Sequence, residues 1–160
     1  MPAKKMPASP LQFSRQFTQD AVSPFDMFEY DYRTSAIKNP SGEIVVLMEN
    51  VEVPKQWSQI ATDILAQKYF RKAGVPQPDG STGRETSVKQ VAHRMAHCWR
   101  AWGERYHYFA SEKDAQIFYD ELVYSILNQA CVPNSPQWFN TGLFEVYGIS
   151  GKPQGHYFVD

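Results

Sequence analysis

His93 and His97 are the first residues whose types and spacing could do chemistry. Four apart on a helix, both rings can face one way, which is the spacing of zinc-binding helices. In the metalloprotease form of that motif a glutamate follows the first histidine as general base. Here that position holds Arg94. The same face carries Arg100, Glu104 and His107, opposite an apolar stripe. The polar, solvated or partner-facing side of an amphipathic helix is the simpler account, and no metal ligands are assigned. Cys98, beside Trp99 in the same stretch, reads as a small buried hydrophobe. Cys131 precedes a Pro-Asn-Ser-Pro turn, but one cysteine without a nearby base does not make a nucleophile. Ser135 is a better candidate. A hydroxyl in a rigid Ser-Pro turn after a helix can hydrogen-bond a phosphate or ribose oxygen at small entropic cost. Most Ser-Pro pairs are only turns, however. The chain also has no Gly-rich phosphate loop, no G-x-S-x-G and no paired-carboxylate motif.

The elements that would position these residues are mainly helical. Trp57, Ile60, Ala61, Ile64, Leu65 and Tyr69 recur at helical spacing after Pro54. Arg71 and Lys72 close that helix, with Gly74 and Pro76 behind them. A polar loop, 76–84, comes next. Ser87 with Gln90 three residues later forms a capping box for a second helix. Its apolar stripe is Val88, Val91, Ala92, Met95, Trp99, Trp102 and Tyr106. Ser111 caps a third helix, with Asp114 at its third position and a stripe of Ala115, Phe118, Leu122, Val123, Ile126 and Ala130. The short link between these two predicts an antiparallel helical pair. Before them, Glu43 to Met48 reads as a strand behind an Asn-Pro-Ser-Gly turn, with Phe28 to Ile37 as its partner. Pro136 is expected to push Ser135 into extended geometry, and Asn140, Thr141 and Gly142 form a further turn. Tyr157 to Asp160 reads as an entering strand, so an incomplete domain is expected.

Bulk properties exclude several classes. Sixteen basic and seventeen acidic residues leave a net charge of -1, so no global field draws in nucleic acid or anionic lipid. The run Ile44-Val45-Val46-Leu47-Met48 falls far short of the ~20 residues that cross a bilayer. The N-terminus has no secretory apolar segment, and two cysteines without a C-x-x-C suggest neither a disulfide framework nor a structural zinc site. A cytoplasmic protein is expected.

The stretch ACVPNSPQWFNTGL, residues 130–143, resembles the substrate-site entry segment of vitamin B12-dependent, class II ribonucleotide reductases. Downstream, YGISGKPQGHYFVD resembles the lead into the first strands of that family's catalytic barrel, and residues 23–76 resemble its N-terminal region. The resemblance covers Phe13 to Asp160. It implies a mainly α fold with a small β element, leading into the first part of a ten-stranded α/β barrel. Residues 1–19 would be a disordered tail, 20–130 the mostly helical N-terminal region and 131–160 the incomplete start of the barrel.

The resemblance also implies an adenosylcobalamin-dependent ribonucleoside-diphosphate reductase, a homodimer in its full form, that makes deoxyribonucleotides by a radical mechanism. Such chemistry uses three active-site cysteines with a nearby asparagine and glutamate, whereas this sequence has two cysteines, neither at a radical or redox position. No catalytic residue is therefore assigned. Ser135 carries over as a substrate-phosphate contact, with Asn134 and Gln137 as neighbours. The expected protein is an N-terminal fragment or split subunit, inactive alone and partnered by the remainder of the reductase. The alternative is a non-catalytic helical interaction module derived from it.

Overall fold

The computed structural model describes residues 9–150. The tail expected over 1–8 and the strand expected over 157–160 lie outside them. A two-stranded antiparallel ribbon, β1 (Tyr30–Lys38) and β2 (Ile44–Pro54), opens the fold. The sequence signal for β2 stops at Met48 because Glu49-Asn50 looks like a strand end. Instead, two residues of β2 oppose the single Thr34 between the pairs Arg33↔Val51 and Ser35↔Met48. Asn50 takes the left-handed conformation (φ 57°) that such a bulge needs. The extra residue resets the side-chain alternation, so Met48, Val51 and Val53 all reach the core.

Ser58 caps α1 (Gln59–Ile64) by accepting from the Ala61 amide. The helix then widens into a π turn, Leu65–Tyr69, in which the Phe70 amide donates to the Leu65 carbonyl at 3.0 Å. The helical spacing of Ile60, Ile64 and Leu65 predicted one apolar stripe. The observed helix leaves both isoleucines exposed and buries Leu65, Ala66 and Phe70. The polar loop contains a minimal ribbon, β3 (Val75–Pro76) with β4 (Thr82–Gly83).

Ser87 and Gln90 form the expected capping box at the start of α2 (Val88–Arg105), and Ser111 caps α3 (Glu112–Leu127). His93 meets Tyr119 while Arg100 meets Gln116, so the two helices run antiparallel. The apolar stripe of α2 departs from expectation in its second half, where Trp102 and Tyr106 are exposed. The buried face continues through Ala96, Cys98 and Gly103 instead. Gly103 is required there because a Cβ would meet the Phe109 ring at 2.3 Å. The expected solvated face is corrected too. His93 and Arg100 form a polar seam against α3, with Glu104 and His107 left outside.

The expectation of a poorly ordered tail does not hold from Leu11 onwards. This segment forms no regular element, so its backbone groups need side-chain partners. The acidic residues of α3 supply them. Asp114 accepts from the Phe13 amide at 2.7 Å, and Glu121 accepts from the amides of Gln16, Phe17 and Thr18. Arg15 pairs with Asp120 at 2.8 Å. Pro24–Met27 then makes one 3-10 turn leading into β1. The core joins Val53, Trp57, Phe70, Met95, Leu127 and Trp138, and the Trp57 indole donates to the buried Leu127 carbonyl at 2.7 Å.

After α3 come two short helices, α4 (Ser135–Asn140) and α5 (Leu143–Tyr147). Asn134, not Ser135, is the extended residue, and Ser135 opens the helix with Pro136 in its first turn. Pro136 costs little there, because a first-turn N–H has no intrahelical partner to lose. Between the helices Gly142 has a φ of +83°, and a Cβ on it would lie 2.0 Å from the Arg94 carbonyl oxygen. Gly142→Ala should therefore destabilise the fold by at least ~2 kcal/mol. Urea denaturation should show this as a lower midpoint at unchanged slope.

The polar seam makes a second prediction. Burial, helped by the charge of His97, holds the His93 imidazole below its ordinary value of 6.5. Burial also pushes the Tyr119 phenol up to about 12, so it stays protonated and shares a hydrogen bond of 2.7 Å with His93 Nδ1. The unfolded chain therefore binds the His93 proton more readily than the folded one. The contribution to stability is complete well above pH 6.5, begins to be lost as the pH falls towards that value and is gone below the lower folded value. Urea midpoints should decline as the pH is lowered through and below 6.5, and His93→Gln should flatten that decline.

Candidate functional site

A cleft of about 450 Å³ lies between the α1 segment, the end of α3 and the start of α4. Trp57, Leu65, Ile126 and Trp138 form its apolar walls, and Tyr69, Gln129, Asn134 and Ser135 bring polar atoms to it. Its lining side chains carry no charge. The volume lies within the range of ligand pockets for drug-sized molecules.

Each wall is held by a specific device. The Trp138 indole donates to the Pro133 carbonyl at 2.7 Å, which fixes the 133–138 turn. Tyr69 stacks on Trp138 with ring centroids 5.4 Å apart and planes 23° from parallel. Its phenolic oxygen lies 3.0 Å from Ser135 Oγ, so the two hydroxyls share a hydrogen bond across the cleft wall. Asn134 caps α4 without using its side chain on the helix. Of the three residues expected from sequence, Ser135 and Asn134 line the cleft. Gln137 is not among the lining residues, and its carbonyl oxygen accepts from the Thr141 hydroxyl.

Behind the cleft lies an ion pair that sequence reasoning missed. Arg94 and Glu85 are both fully buried, with Nε to Oε1 at 2.7 Å. The Arg94 guanidinium also donates to the Thr141 carbonyl at 2.8 Å and to the Trp138 carbonyl. Glu85 accepts from the Arg71 amide at 2.7 Å and from the Tyr147 hydroxyl at 3.0 Å. Burial and that carboxylate push the Tyr147 phenol up, keeping it a donor. The pair thereby ties α2 to the C-terminal half of α4, to α5 and to the strand-like exit from the π turn. One signal was available: Arg94 lies three residues from Val91 and one from Met95, inside the apolar stripe.

The other candidates do not assemble into a site. His93 stacks on His97 with centroids 5.3 Å apart. Among the described residues, no three of His, Cys, Asp or Glu converge to hold a metal. Cys98 is buried, which pushes its thiol up and away from the thiolate form. Cys131 is half-buried at the exit of α3. No helix of the described residues is long and apolar enough to cross a membrane.

Removing one partner of a buried, fully bonded pair leaves an uncompensated charge, at a cost of ~3–5 kcal/mol. Arg94→Met should cost about that much and loosen α4. Arg94→Met with Glu85→Gln should cost clearly less than the two single changes summed, measured as a double-mutant cycle in urea.

Comparison with known proteins gives this architecture its relatives. The family model described as class II vitamin B12-dependent ribonucleotide reductase matches residues 31–129, from β1 to the end of α3. The vitamin B12-dependent ribonucleotide reductase of Bradyrhizobium diazoefficiens is 44% identical over 94% of this chain. That of Agrobacterium fabrum is 42% identical over the same share, and that of Rhodopirellula baltica 37% over 88%. The chain spans only 13–14% of the length of these three relatives. On this match the chain belongs to the class II, vitamin B12-dependent ribonucleotide reductases, in their N-terminal region.

Proposed function

We propose that these 160 residues form the N-terminal part of an adenosylcobalamin-dependent ribonucleoside-diphosphate reductase. They work with the remainder of the enzyme, as a covalent continuation or a companion chain. Their contribution is one wall of the substrate site, where Ser135 donates to a phosphate or ribose oxygen of the nucleotide and Asn134 flanks it. Gln137, occupied by Thr141, steadies the turn. The observation that carries this reading is the Ser135–Tyr69 hydroxyl pair on a turn pinned from behind by Arg94. In a cleft whose lining is uncharged, a fixed O–H donor selects an oxygen-rich ligand by geometry rather than by field.

The cofactor supplies the radical chemistry when bound. The described residues do not fit it: the cleft suits a drug-sized ligand, and a corrinoid with its nucleotide tail is much larger. None of these residues is therefore given a step in its chemistry. With two cysteines, Cys98 buried and Cys131 outside the cleft lining, this region binds and orients, and the reduction belongs to other parts of the enzyme.

The rival account is a non-catalytic helical module. Against it stand Ile44, Val45, Val46 and Leu47, four consecutive aliphatic residues 43–59% exposed at the outer end of the ribbon. A strand with both faces apolar and uncovered suits a region that packs into something larger.

The test is deoxyribonucleotide formation by protein containing this sequence together with the rest of the reductase, with adenosylcobalamin and a dithiol. Activity should require the cobalamin, and the 160-residue chain alone should form no product. Ser135→Ala should raise KM by about tenfold or more, the loss of one hydrogen bond to a charged group, with kcat changed little. Absence of cobalamin-dependent reduction in the assembled protein would overturn the proposal.

A further inference from the structure

We infer that Tyr69 is a positioning residue for the substrate contact: its hydroxyl donates to Ser135 Oγ and so directs the serine's own proton into the cleft. This rests on the proposed role of Ser135 and extends it to a residue with no sequence motif of its own.

The geometry carries the argument. Tyr69 Oη and Ser135 Oγ are 3.0 Å apart, and both residues line the cleft. A phenol is a better donor than an aliphatic alcohol, and the aliphatic oxygen is the better acceptor, so the shared proton belongs to the tyrosine. Once Ser135 Oγ accepts, its O–H is free to donate elsewhere, and hydrogen bonds arranged in such a chain strengthen one another. No cation lines the cleft to attract a phosphate or polarised sugar oxygen, which leaves neutral donors, the Ser135 hydroxyl and the Gln129 and Asn134 amides, so the direction of the Ser135 O–H matters.

The tyrosine is also built in rather than loosely placed. It ends the π turn Leu65–Tyr69, and the extra residue of such a turn rotates the later positions by about 100° relative to a regular helix. That rotation lets Phe70 enter the core while Tyr69 faces α4. The ring is clamped by Trp138 at 5.4 Å and by Phe139 at 5.2 Å, tilted 59°. Single-turn π bulges occur often at functional sites, and here the bulge places a hydroxyl that an uninterrupted helix would have turned away.

The experiment compares Tyr69→Phe, Ser135→Ala and the double variant in the complete reductase, with KM and kcat measured separately. Phenylalanine keeps the ring contacts, so the melting temperature should hold. Tyr69→Phe should raise KM roughly threefold to tenfold with kcat little changed, and the double variant should be no worse than Ser135→Ala alone. If Ser135→Ala raises KM while Tyr69→Phe does not, or if the two losses multiply, the inference fails and the substrate role of Ser135 stands. A fall in kcat together with the melting temperature would make the phenol merely structural, which also overturns it. If Ser135→Ala leaves KM unchanged, the reading of Ser135 fails and this one with it.

Discussion

A guanidinium and a carboxylate withdrawn completely from water constrain everything around them. Arg94 and Glu85 are each 0% exposed, and burying two charges is favourable only where every remaining donor and acceptor is met. Arg94 meets its need with the carbonyls of Trp138 and Thr141, and Glu85 with the Arg71 amide and the Tyr147 hydroxyl. These partners come from segments far apart in sequence and include Trp138, at the end of the cleft-forming turn. The pair is thus less a source of stability than a device of register. It allows one placement of α4 against α2, and a slipped placement would strand a buried charge. Gly142 serves the same end, since only a residue without a Cβ lets the α4–α5 junction lie against the Arg94 backbone.

The segment before the ribbon obeys a different rule. There, α3 satisfies an irregular segment through its acidic side chains, so Leu11 to Asp20 is ordered without secondary structure of its own. Between α2 and α3 the contact is partly polar, with His93 neutral against a protonated Tyr119 and Arg100 against Gln116. The region therefore combines an apolar centre, a polar seam and one ionic anchor. The anchor stands behind the face that carries the candidate site.

That placement suits a reductase's N-terminal region. The turn that lines the cleft is fixed by the Trp138 indole, the Arg94 guanidinium and the Tyr69 ring, so its geometry is set within this region. The aliphatic tip of the β1–β2 ribbon and the open cleft lie in separate elements, which is consistent with a region covered at more than one place by a larger protein.

Much of the local structure was legible in the amino-acid order, because caps and stripes are written over a few residues. Ser87 with Gln90, Ser111, the antiparallel helix pair and the ribbon partner of Ile44–Met48 all come from short-range patterns. Ser135 stood out through its Ser-Pro turn and its resemblance to reductase sequences. Tertiary structure decided the rest. The bulge at Asn50 and the π turn before Phe70 each insert one residue to bring a later side chain into the core, and no local preference announces them. Arg94 looked like a failed metal-site residue, because its four partners are 9 to 47 positions away. Tyr69 looked like one more apolar stripe member until the turn set its hydroxyl 3.0 Å from Ser135. Hydrogen bonds over such separations depend on how elements pack, and packing is a property of the whole chain rather than of any window within it.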